Sequence, residues 1–501
     1  RYETKDTLPL KKKTMADDKK ETFNIDKENR FAEWYDRILV EADIMDKRYP
    51  VKGMPIFTKY GYHMHCSIME ILEQEWTKQN IDKVQFPVLI PESYLVKEQK
   101  HLEGFSAEVF WATEGGDKKL EVKCALRPTS ETAMYSMFSL WIRSFRDLPL
   151  KVHQTCSVYR YETKDTLPLI RAREIHWNEA HTCHSTAQDA LDNLEAAWKS
   201  YLYLLNDCLG VYGVRLRRPE WDKFAGAEHT DVLDCVLPSG KVLQSVGAHY
   251  LGQIFSKSFD IKFLNEKNEF EPAYMTCYGV STRMLACALS SHGDNRGLIL
   301  PSVIAKYKVV ICPLIFKGKE AMVVEAGKVW KQKLLDAGIS VWLDDSDKTP
   351  GEKYYHWEMK GVPLRLEIGP KDLEKNQVCL VRRDGAGKSF VAADEAIQKI
   401  RDLLKAQDEA LKAKSKAYAE SKVVTCKTME EAAEVLKTNG GFVRVPFFST
   451  AMDGEAGDKI VHEKANAEVR GFVPGETIDA GLTCIATGKP ATCWAYCAKS
   501  Y

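Results

Sequence analysis

The sequence predicts an α/β protein built from three folded regions. Apolar residues recur at both helix and strand spacing between residues 23 and 301, so this long region mixes helices with strands. From about Lys306, strand-like runs alternate with a helix, which is typical of a small α/β domain. A third region begins near Val423, where Thr428 and Glu431 have the spacing of a capping box at the start of a helix.

The composition is typical of a soluble globular protein with several domains: 501 residues, of which 45% are hydrophobic and 28% charged. The formal net charge is zero, so any contact with nucleic acid requires a local basic patch. No apolar run approaches the ~20 residues of a membrane helix, and the start has no signal-peptide pattern. The 14 cysteines are therefore expected to be reduced thiols in a cytoplasmic protein with no membrane partner.

The element pattern divides the chain into five segments. They are a disordered or artefactual segment (1–21), the long mixed region (22–301), the small α/β domain (305–408), a charged helical connector (409–422) and a last domain (423–501). In the long region, Ser130 is the predicted N-cap of a helix with an apolar face that carries Met134, Met137, Phe138, Trp141 and Phe145. The small domain is predicted to hold a mainly parallel sheet made of KVVICPL, SVWLDD, VPLRLEIG and QVCLVRR.

Residues 152–182 are predicted to form two strands joined by a polar loop, VHQTCSVYRYE and LIRAREIHWNEAHT. Alternate residues of a strand share a face, so Arg160 lies with Glu162, and one face of the return strand carries Arg171, Arg173, Trp177, Glu179 and His181. Charged alternation usually marks the solvent side of a hairpin. Here Trp and His interleave with Glu, and arginines on adjacent strands form a fork for phosphates, which favours a pocket.

The Arg-x-Glu at 160–162, the loop and LIRARE resemble motif two of class II aminoacyl-tRNA synthetases. RPTSET at 127–132, GVSTR at 279–283 and HGDN at 292–295 extend the match, and together these motifs resemble prolyl-tRNA synthetases of the eukaryotic and archaeal type. The resemblance implies an antiparallel catalytic sheet flanked by helices, a small α/β anticodon-binding domain and a C-terminal α+β domain. It also implies a homodimer, with motif one formed by HMHCSIMEILEQEWTKQN and KVQFPVLIP. Pro87 would be the motif-one proline, and an ordinary strand-end proline is the alternative.

The resemblance further implies ATP-dependent ligation of L-proline to tRNA(Pro) through prolyl-adenylate. Arg160 would contact the α-phosphate and the amino acid carboxylate, and Glu162 would accept from the adenine amino group. The other implied ATP contacts are Arg171, Gln244, Ser281 and Arg283. For each arginine alone, a surface salt bridge is the alternative.

The implied proline pocket combines acceptors for a secondary ammonium with flat walls for a five-membered ring. Glu131 and Glu179 are acceptors, and Trp177 and Phe224 are walls, for which core packing is the alternative. The whole implied pocket comprises Thr129, Glu131, Arg160, Trp177, Glu179, His181, Phe224 and His249.

The implied chemistry needs no side-chain nucleophile, because positioning and charge neutralisation by Arg160, Arg283 and Mg²⁺ carry the rate. The metal would be held largely by phosphates, and Asp234 is a weak candidate for a protein ligand. After Gln244, family members often have a Thr-Ser-His-His stretch; this chain has GAHY at 247–250, which places nucleotide contacts at residue 247 in question.

The later domains depart from the family pattern in one respect. The C-terminal domain often binds zinc through four cysteines, but Cys484, Cys493 and Cys497 form no C-x-x-C pair, so no structural zinc is expected. Residues 182–272 are too few for the bacterial type of editing insertion. Candidate anticodon contacts are Arg365, Lys371, Arg382 and Arg383, each of which could equally be a solvated charge.

The decapeptide RYETKDTLPL occurs twice, at 1–10 and at 160–169. The first copy is followed by Lys11 instead of Ile170 and has no return strand, so it cannot form a second site. We interpret it as an artefact of the cloned or recorded sequence, which would put the natural start near Met15. A natural duplication is the second explanation, and a loop recorded twice is the third.

Two other functional classes are compatible with the motifs. One is a class II synthetase for another amino acid such as threonine, against which the Trp177, Glu179 and His181 pattern and the final Tyr501 argue. The other is a non-catalytic relative that binds ATP, against which the intact Arg160, Glu162 and Arg283 argue. Amino-acid-dependent pyrophosphate exchange separates these classes.

Overall fold

A computed structural model describes residues 23–95, 109–161, 165–314 and 318–501. The predicted segment 1–21, Glu162 and the first decapeptide copy lie outside the described residues. Contacts between Cα atoms divide the chain into two compact units. Among the described residues, one unit contains 23–68, 205–212 and 288–417, and the other contains 69–204, 213–287 and 418–501. Within the described ranges, every helix is too short or too polar to cross a membrane.

Near the start of the described chain, one predicted strand is replaced by two short ones. The elements of this part of the chain are α1 (Phe31–Glu41), β1 (Met45–Asp46), β2 (Ile56–Phe57), α2 (Lys59–Lys78), β3 (Asp82–Lys83) and β4 (Leu89–Pro91). The single strand predicted for KVQFPVLIP is wrong, because Pro87 lies between β3 and β4 and belongs to neither. A proline has no N–H to donate to a ladder, so it separates the two short strands.

The large sheet is assembled from the next part of the chain. Its elements and their neighbours are β5 (Trp111–Gly115), β6 (Lys118–Leu126), α3 (Glu131–Trp141), β7 (Leu150–Tyr159), β8 (Glu174–His184), α4 (Ala187–Leu202), β9 (Val214–Arg217), β10 (His229–Val236), β11 (Val242–Gly252), α5 (Ile254–Ser258), β12 (Lys262–Leu264), β13 (Phe270–Pro272), β14 (Tyr274–Ser281) and α6 (Arg283–His292). In the described part of the chain, the sheet has the strand order β3-β7-β8-β14-β11-β10-β9. Every neighbouring pair is antiparallel except β3 with β7, so the predicted antiparallel sheet is confirmed.

Two local predictions in this sheet need correction. The return strand does not begin at Leu169 but at Glu174, because residues 167–171 form a turn closed by the hydrogen bond from Arg171 N to Leu167 O (2.7 Å). Arg171 and Arg173 therefore precede the strand and do not share its alternation. The loop, rather than strand parity, directs Arg171 towards the cavity described below.

The apolar face predicted for helix α3 is only partly correct. Met134 and Phe138 are fully buried, whereas Trp141 is 41% exposed and Phe145 lies beyond the helix in a short 3₁₀ turn. Ser130 occupies the N-cap position, but its hydroxyl does not cap the helix. It accepts instead from Gln154 Nε2 (2.6 Å), so the helix start is joined to the sheet beside the cavity.

The small domain has a mixed sheet. It contains β15 (Val309–Pro313), α7 (Glu320–Asp336), β16 (Val341–Leu343), α8 (Pro350–Met359), β17 (Leu364–Ile368), α9 (Pro370–Glu374), β18 (Gln377–Arg382), β19 (Lys388–Ala392) and α10 (Ala396–Ser421). β15 is parallel to β16 and β17, but β18 is antiparallel to β17 and β19, so the predicted mainly parallel sheet is wrong. The connections on either side of β18 are too short for a parallel crossover, which needs about a dozen residues or more. Helix α10 runs unbroken through residues 409–421.

Three of the four candidate anticodon residues are already paired with carboxylates. Arg365 donates to Glu367 Oε1 (2.9 Å) and to Glu358, and Arg382 pairs with Asp384. The Arg383 side chain is 1% exposed and donates through both terminal nitrogens to Asp294 (2.7 and 2.8 Å). Lys371 is exposed in α9. The HGDN motif thus contributes an aspartate that holds a buried arginine of the small domain.

Replacing Asp294 by asparagine is expected to destabilise this compact unit by about 3 kcal/mol, because it leaves the buried Arg383 guanidinium without its counter-charge. Hydrogen bonds from Arg383 hold the pKa of Asp294 below its ordinary value against the effect of burial. Urea denaturation of the full chain measures the change. Arg296→Gln is the control, because Arg296 is 55% exposed and pairs with Glu358 at the surface. Equal urea midpoints for the Asp294→Asn and Arg296→Gln proteins would contradict a stabilising role for the buried pair of Asp294 with Arg383.

The last domain contains β20 (Val423–Thr425), α11 (Met429–Thr438), β21 (Phe442–Phe447), α12 (Glu455–Ala465), β22 (Glu468–Gly471) and β23 (Cys493–Ala498). Thr428 caps α11 as predicted, accepting from Glu431 N (3.2 Å), but the Glu431 carboxylate accepts from Lys427 N rather than closing a capping box. The thiols of Cys426, Cys484 and Cys497 pack in the core of this domain. The expected lack of zinc stays a prediction.

Candidate active site

A cavity of about 990 Å³ opens on one face of the seven strands that form the described sheet. Its size is within the usual range for small-molecule sites. It is lined by every predicted ATP or amino acid contact that the structure describes: Thr129, Glu131, Arg160, Arg171, Trp177, Glu179, His181, Phe224, Gln244, His249, Ser281 and Arg283. Glu162 falls outside the described residues.

Strand register brings side chains from distant parts of the sequence into rows. His181 lies opposite Cys277, Cys277 opposite His249, and His249 opposite Thr230. Directly opposed residues point to the same face of a sheet, so this row forms one wall of the cavity. His249 Nδ1 and Thr230 Oγ1 are 2.9 Å apart, and the His249 ring lies 4.6 Å from that of Phe224.

Two glycines make room in the next row. Glu179 lies opposite Gly279, and Gly279 lies opposite Gly247. A Cβ at Gly279 would lie 3.2 Å from Asn178 O and 3.6 Å from the Trp177 ring. A Cβ at Gly247 would lie 3.1 Å from Gln244 Nε2. The floor of the cavity therefore consists of bare backbone, and the GAHY departure at 247 leaves space for the Gln244 amide.

The two buried carboxylates, Glu131 and Glu179, form what we call the carboxylate pair. Glu131 accepts from the Thr129 hydroxyl. Glu179 accepts from Gln154 Nε2 (2.8 Å) and from Ser130 N (3.3 Å), and its Oε2 lies 3.3 Å from His181 Nε2. Burial is the main influence on both carboxyls. It raises the pKa of Glu131, whereas His181, Ser130 and Gln154 reverse the effect at Glu179 and lower its pKa.

The two histidines of the wall have opposite shifts. Burial opposes the charge of His181, but its contact with Glu179 and the nearby charge of Glu131 raise its pKa overall. His181 Nδ1 lies 3.0 Å from the Tyr135 hydroxyl. Burial and the neighbouring His181 lower the pKa of His249 to about 3, so His249 is neutral at physiological pH. Of the two histidines, His181 is therefore the one placed to balance negative charge in the carboxylate pair.

Three arginines, Arg160, Arg171 and Arg283, line another part of the cavity and are called the guanidinium cluster here. Burial, and then repulsion from Arg160 and Arg171, lower the pKa of Arg283 to about 10. Arg160 Nε donates to Pro128 O (3.0 Å), and Arg283 Nε donates to Ile170 O (3.0 Å). Backbone carbonyls thus orient these side chains, and a bound anion would relieve their mutual repulsion.

The loop that carries the second decapeptide copy is tied to the start of α6. Thr282 Oγ1 donates to Leu169 O (2.9 Å), and Arg283 Nε donates to the next carbonyl, that of Ile170. Leu169 has φ +65°, a backbone conformation that is costly for a leucine and is retained only where its surroundings enforce it.

Metal binding is a less suitable use of these residues. Ligand atoms of Glu131, His181 and Cys277 lie within 4.8 Å of one another. However, both His181 nitrogens and the Glu131 carboxylate already have hydrogen-bond partners. Asp234, the weak magnesium candidate, does not line the cavity, and both of its oxygens are engaged by arginines. The carboxylate pair is better suited to an organic cation.

Sequence reasoning missed several residues that support the site. Gln154 and Tyr135 hold Glu179 and His181, Cys277 separates the two histidines, and Arg218 and Arg470 border the cavity. Gln154 lies an even number of residues before Arg160 on the predicted strand, so the two share a face; this is the one sequence pattern that could have identified Gln154. Cys277 depends on strand register, and Arg470 comes from the last domain, so neither has a local signature.

The arrangement can bind two charges side by side. A cation fits the carboxylate pair, an anion fits the guanidinium cluster, and Arg160 and Glu131 are close enough for their charges to interact. A ligand with an ammonium and a carboxylate would span both parts, with room for a polyphosphate next to it. An activated intermediate formed between two such ligands would require no covalent contribution from the protein.

Comparison with known sequences gives one family for each folded region. Residues 110–292 match the family described as tRNA synthetase class II core domain (G, H, P, S and T). Residues 308–403 match the anticodon binding domain, and residues 429–501 match the family described as prolyl-tRNA synthetase, C-terminal.

Relatives and solved structures cover nearly the whole chain. The proline–tRNA ligase of Methanothermobacter thermautotrophicus is 42% identical over 468 residues, 93% of this chain and 95% of the relative. That of Methanococcoides burtonii is 41% identical over 97% of this chain and 100% of the relative. Giardia lamblia prolyl-tRNA synthetase in complex with prolyl-adenylate matches with a TM-score of 0.92 and 45% identity, covering 96% of this chain and 100% of that one. The Cryptosporidium parvum enzyme complexed with halofuginone and AMPPNP matches with a TM-score of 0.88 and 33% identity, covering 96% and 97%.

Proposed function

This chain belongs to the prolyl-tRNA synthetase family, and we propose that the cavity described above binds proline and ATP and forms prolyl-adenylate from them. The enzyme is a proline–tRNA ligase, which joins proline to tRNA through that adenylate. The observation that carries the site assignment is the guanidinium cluster next to the buried carboxylate pair in one cavity.

The proline subsite is formed by the carboxylate pair and the walls around it. The secondary ammonium donates to Glu131, with Thr129 and Glu179 as further acceptors. The ring lies between Trp177 and Phe224, and the remaining contacts are His181 and His249. The bare floor at Gly279 leaves space for the ring, because a side chain there would meet the Trp177 ring.

The ATP subsite is formed by the guanidinium cluster and the start of β11. Arg160 holds the α-phosphate and the proline carboxylate together, and Arg171 and Arg283 hold the terminal phosphates. Glu162 accepts from the adenine amino group, an assignment that rests on the motif alone. Gln244 and Ser281 contact the ribose or a phosphate.

The chemistry proceeds in two displacements. An oxygen of the proline carboxylate bonds to the α-phosphorus while the bond from that phosphorus to the bridging oxygen breaks, releasing pyrophosphate. The oxygen of a ribose hydroxyl at the tRNA terminus then bonds to the acyl carbon while the bond from that carbon to the AMP oxygen breaks, and the hydroxyl proton is released to solvent. Arg160 reduces the repulsion between carboxylate and phosphate, and Arg283 stabilises the charge that develops on the pyrophosphate.

We propose Mg²⁺-ATP as the nucleotide substrate, with the metal held by phosphate oxygens. Asp234 does not fit as a ligand, because its carboxylate is fully buried between Arg218 and Arg470. We assign no protein ligand to the metal and no zinc to the C-terminal domain. The chain is further proposed to act as a cytoplasmic homodimer without an editing domain of its own.

Recognition of tRNA(Pro) is assigned to the small domain as a whole. Arg365, Arg382 and Arg383 are held by carboxylates, so we propose that they position the surface rather than read bases. Lys371 is exposed and remains a candidate contact.

The proposed function is tested by ATP–pyrophosphate exchange with each protein amino acid in turn. Exchange that depends on proline alone supports it. Stronger exchange with another amino acid would keep the reaction and overturn the specificity. Folded protein that binds ATP but exchanges with none would indicate a non-catalytic relative. Protein lacking residues 1–14 is assayed in parallel, and equal rates would show that the first decapeptide is dispensable.

A further inference from the structure

The last domain borders the nucleotide side of the cavity. Arg470, Ser500 and Tyr501 are among the residues that line it. Backbone hydrogen bonds fix this border at Val242, whose N–H donates to Lys499 O (2.8 Å) and whose carbonyl accepts from Tyr501 N (3.2 Å). Val242 lies two residues before Gln244, so the C-terminal tail is bonded to the strand that presents a proposed ATP contact.

A second attachment lies on the neighbouring part of the sheet. Arg217 and Phe472 exchange backbone hydrogen bonds of 2.8 and 3.0 Å, and Arg218 donates to the carbonyl of Arg470. From this attachment, the side chain of Arg470 extends to the buried Asp234. The last domain is therefore connected to the sheet at both β9 and β11, on either side of the buried Asp234.

A chain of hydrogen bonds runs from Arg470 to Gln244. Arg470 Nε donates to Asp234 Oδ2 (2.8 Å), and an Arg218 terminal nitrogen lies 3.4 Å from Asp234 Oδ1. The same Arg218 nitrogen donates to Gln244 Oε1 (3.1 Å). With its oxygen held in this way, Gln244 directs its Nε2 to the floor of the cavity, 3.1 Å from the Cβ position of Gly247.

The charges in this chain depend on one another. The side chains of Arg218 and Arg470 are only 3% and 10% exposed to solvent. Both contact the carboxylate of Asp234, whose side chain is fully buried. Two buried guanidiniums would repel each other without it. If Arg470 were neutral, Asp234 would draw Arg218 towards itself, and Arg218 could no longer hold the Gln244 amide in its present orientation.

We propose that Arg470, a residue of the last domain, is a positioning residue for ATP, acting through Asp234 and Arg218 on Gln244. This inference rests on the proposed function, because it assigns Gln244 to the nucleotide. It also gives the last domain a part in the first chemical step, before tRNA binds. The carboxylate pair takes no part in this series of hydrogen bonds, so proline binding is expected to be independent of Arg470.

The test uses full-length Arg470→Gln protein. The KM for ATP in proline-dependent exchange is expected to rise about tenfold, and the KM for proline by less than about twofold, because the charged hydrogen bond from Arg470 to the buried Asp234 is lost, together with one to the more exposed Glu468 (3.0 Å). Arg470→Lys should recover most of the ATP affinity, since a lysine can still reach Asp234 with one charge. Arg444→Gln is the matched control: Arg444 lies in the same domain and pairs with Glu476 (2.7 Å), away from the cavity.

A double-mutant cycle with Gln244→Ala separates positioning from a general loss of structure. If Arg470 acts through Gln244, Arg470→Gln should cause little further loss in the Gln244→Ala background. A KM for ATP equal to that of Arg444→Gln, equal increases in both KM values, or full additivity in the cycle would each overturn the inference. Calorimetric titration with a non-hydrolysable ATP analogue measures nucleotide binding without chemistry. If wild-type protein failed to exchange with proline, the proposed function would fail, while this titration would still decide the role of Arg470.

Discussion

Replacing Arg160 by glutamine is expected to lower proline-dependent pyrophosphate exchange by about a thousandfold, because one charge-neutralising donor at the reacting atoms is removed. The proline carboxylate and the α-phosphate are both anions, and they must approach within bonding distance. Arg160 is oriented for this purpose by its bond to Pro128 O (3.0 Å) and lies beside the Trp177 ring. A glutamine keeps much of the side-chain length but carries no charge.

The same substitution should leave the free protein folded. Arg160 and Arg171 repel Arg283, and this repulsion, after burial, depresses the pKa of Arg283. Removing one of the three charges relaxes that repulsion, so the melting temperature without ligands should not fall. Arg143→Gln, an exposed arginine in the same compact unit, is the control for exchange. An Arg160→Gln enzyme that retains more than about a tenth of the wild-type rate would contradict the assigned role.

Local sequence pattern was sufficient where function depends on one strand or one loop. Trp177, Glu179 and His181 do lie along β8 and do line the cavity, because strand alternation fixes which residues share a face. Arg171 reaches the same cavity for a different reason, since it lies in the turn before the strand. The motif was recognisable although its geometry was predicted wrongly.

Pattern was insufficient wherever the partner of a residue lies far along the chain. Arg383 appeared to be a candidate for reading bases, but its partner Asp294 is 89 residues away. Arg470 and Asp234 are separated by 236 residues, and nothing near either position predicts the pair. The mixed sheet of the small domain was missed for a related reason: pairing direction follows from connection lengths and packing, which strand composition does not encode.

Replacing Glu131 by glutamine is expected to weaken proline binding about a hundredfold at neutral pH and to remove an acid limb from its pH dependence, because a buried charge partner of the ammonium is lost. Glu131 must be ionised to pair with the ammonium. Burial, followed by repulsion from Glu179, raises its pKa despite the opposing charge of His181. Glu179 has a lowered pKa, so within the pair Glu131 takes up a proton first as the pH falls.

The direction of the pH effect follows from this order. Affinity of the wild-type protein for proline should fall as the pH decreases through the pKa of Glu131, which burial raises above that of an ordinary glutamate. The Glu131→Gln protein has no such group, so its weaker affinity should be flat over the same range. Tryptophan fluorescence can report binding, since Trp177 lines the cavity, and the titrations are made without ATP so that phosphate protonation does not contribute.

Glu174→Gln provides the matched control, because Glu174 lies on the same strand but does not line the cavity. It should keep both the affinity and the acid limb of the wild-type protein. An acid limb that persists unchanged in Glu131→Gln would assign the titration to Glu179 or His181 instead. Wild-type affinity for proline in Glu131→Gln would mean that Glu179 alone holds the ammonium. Glu131 would then be a neutral neighbour of that acceptor.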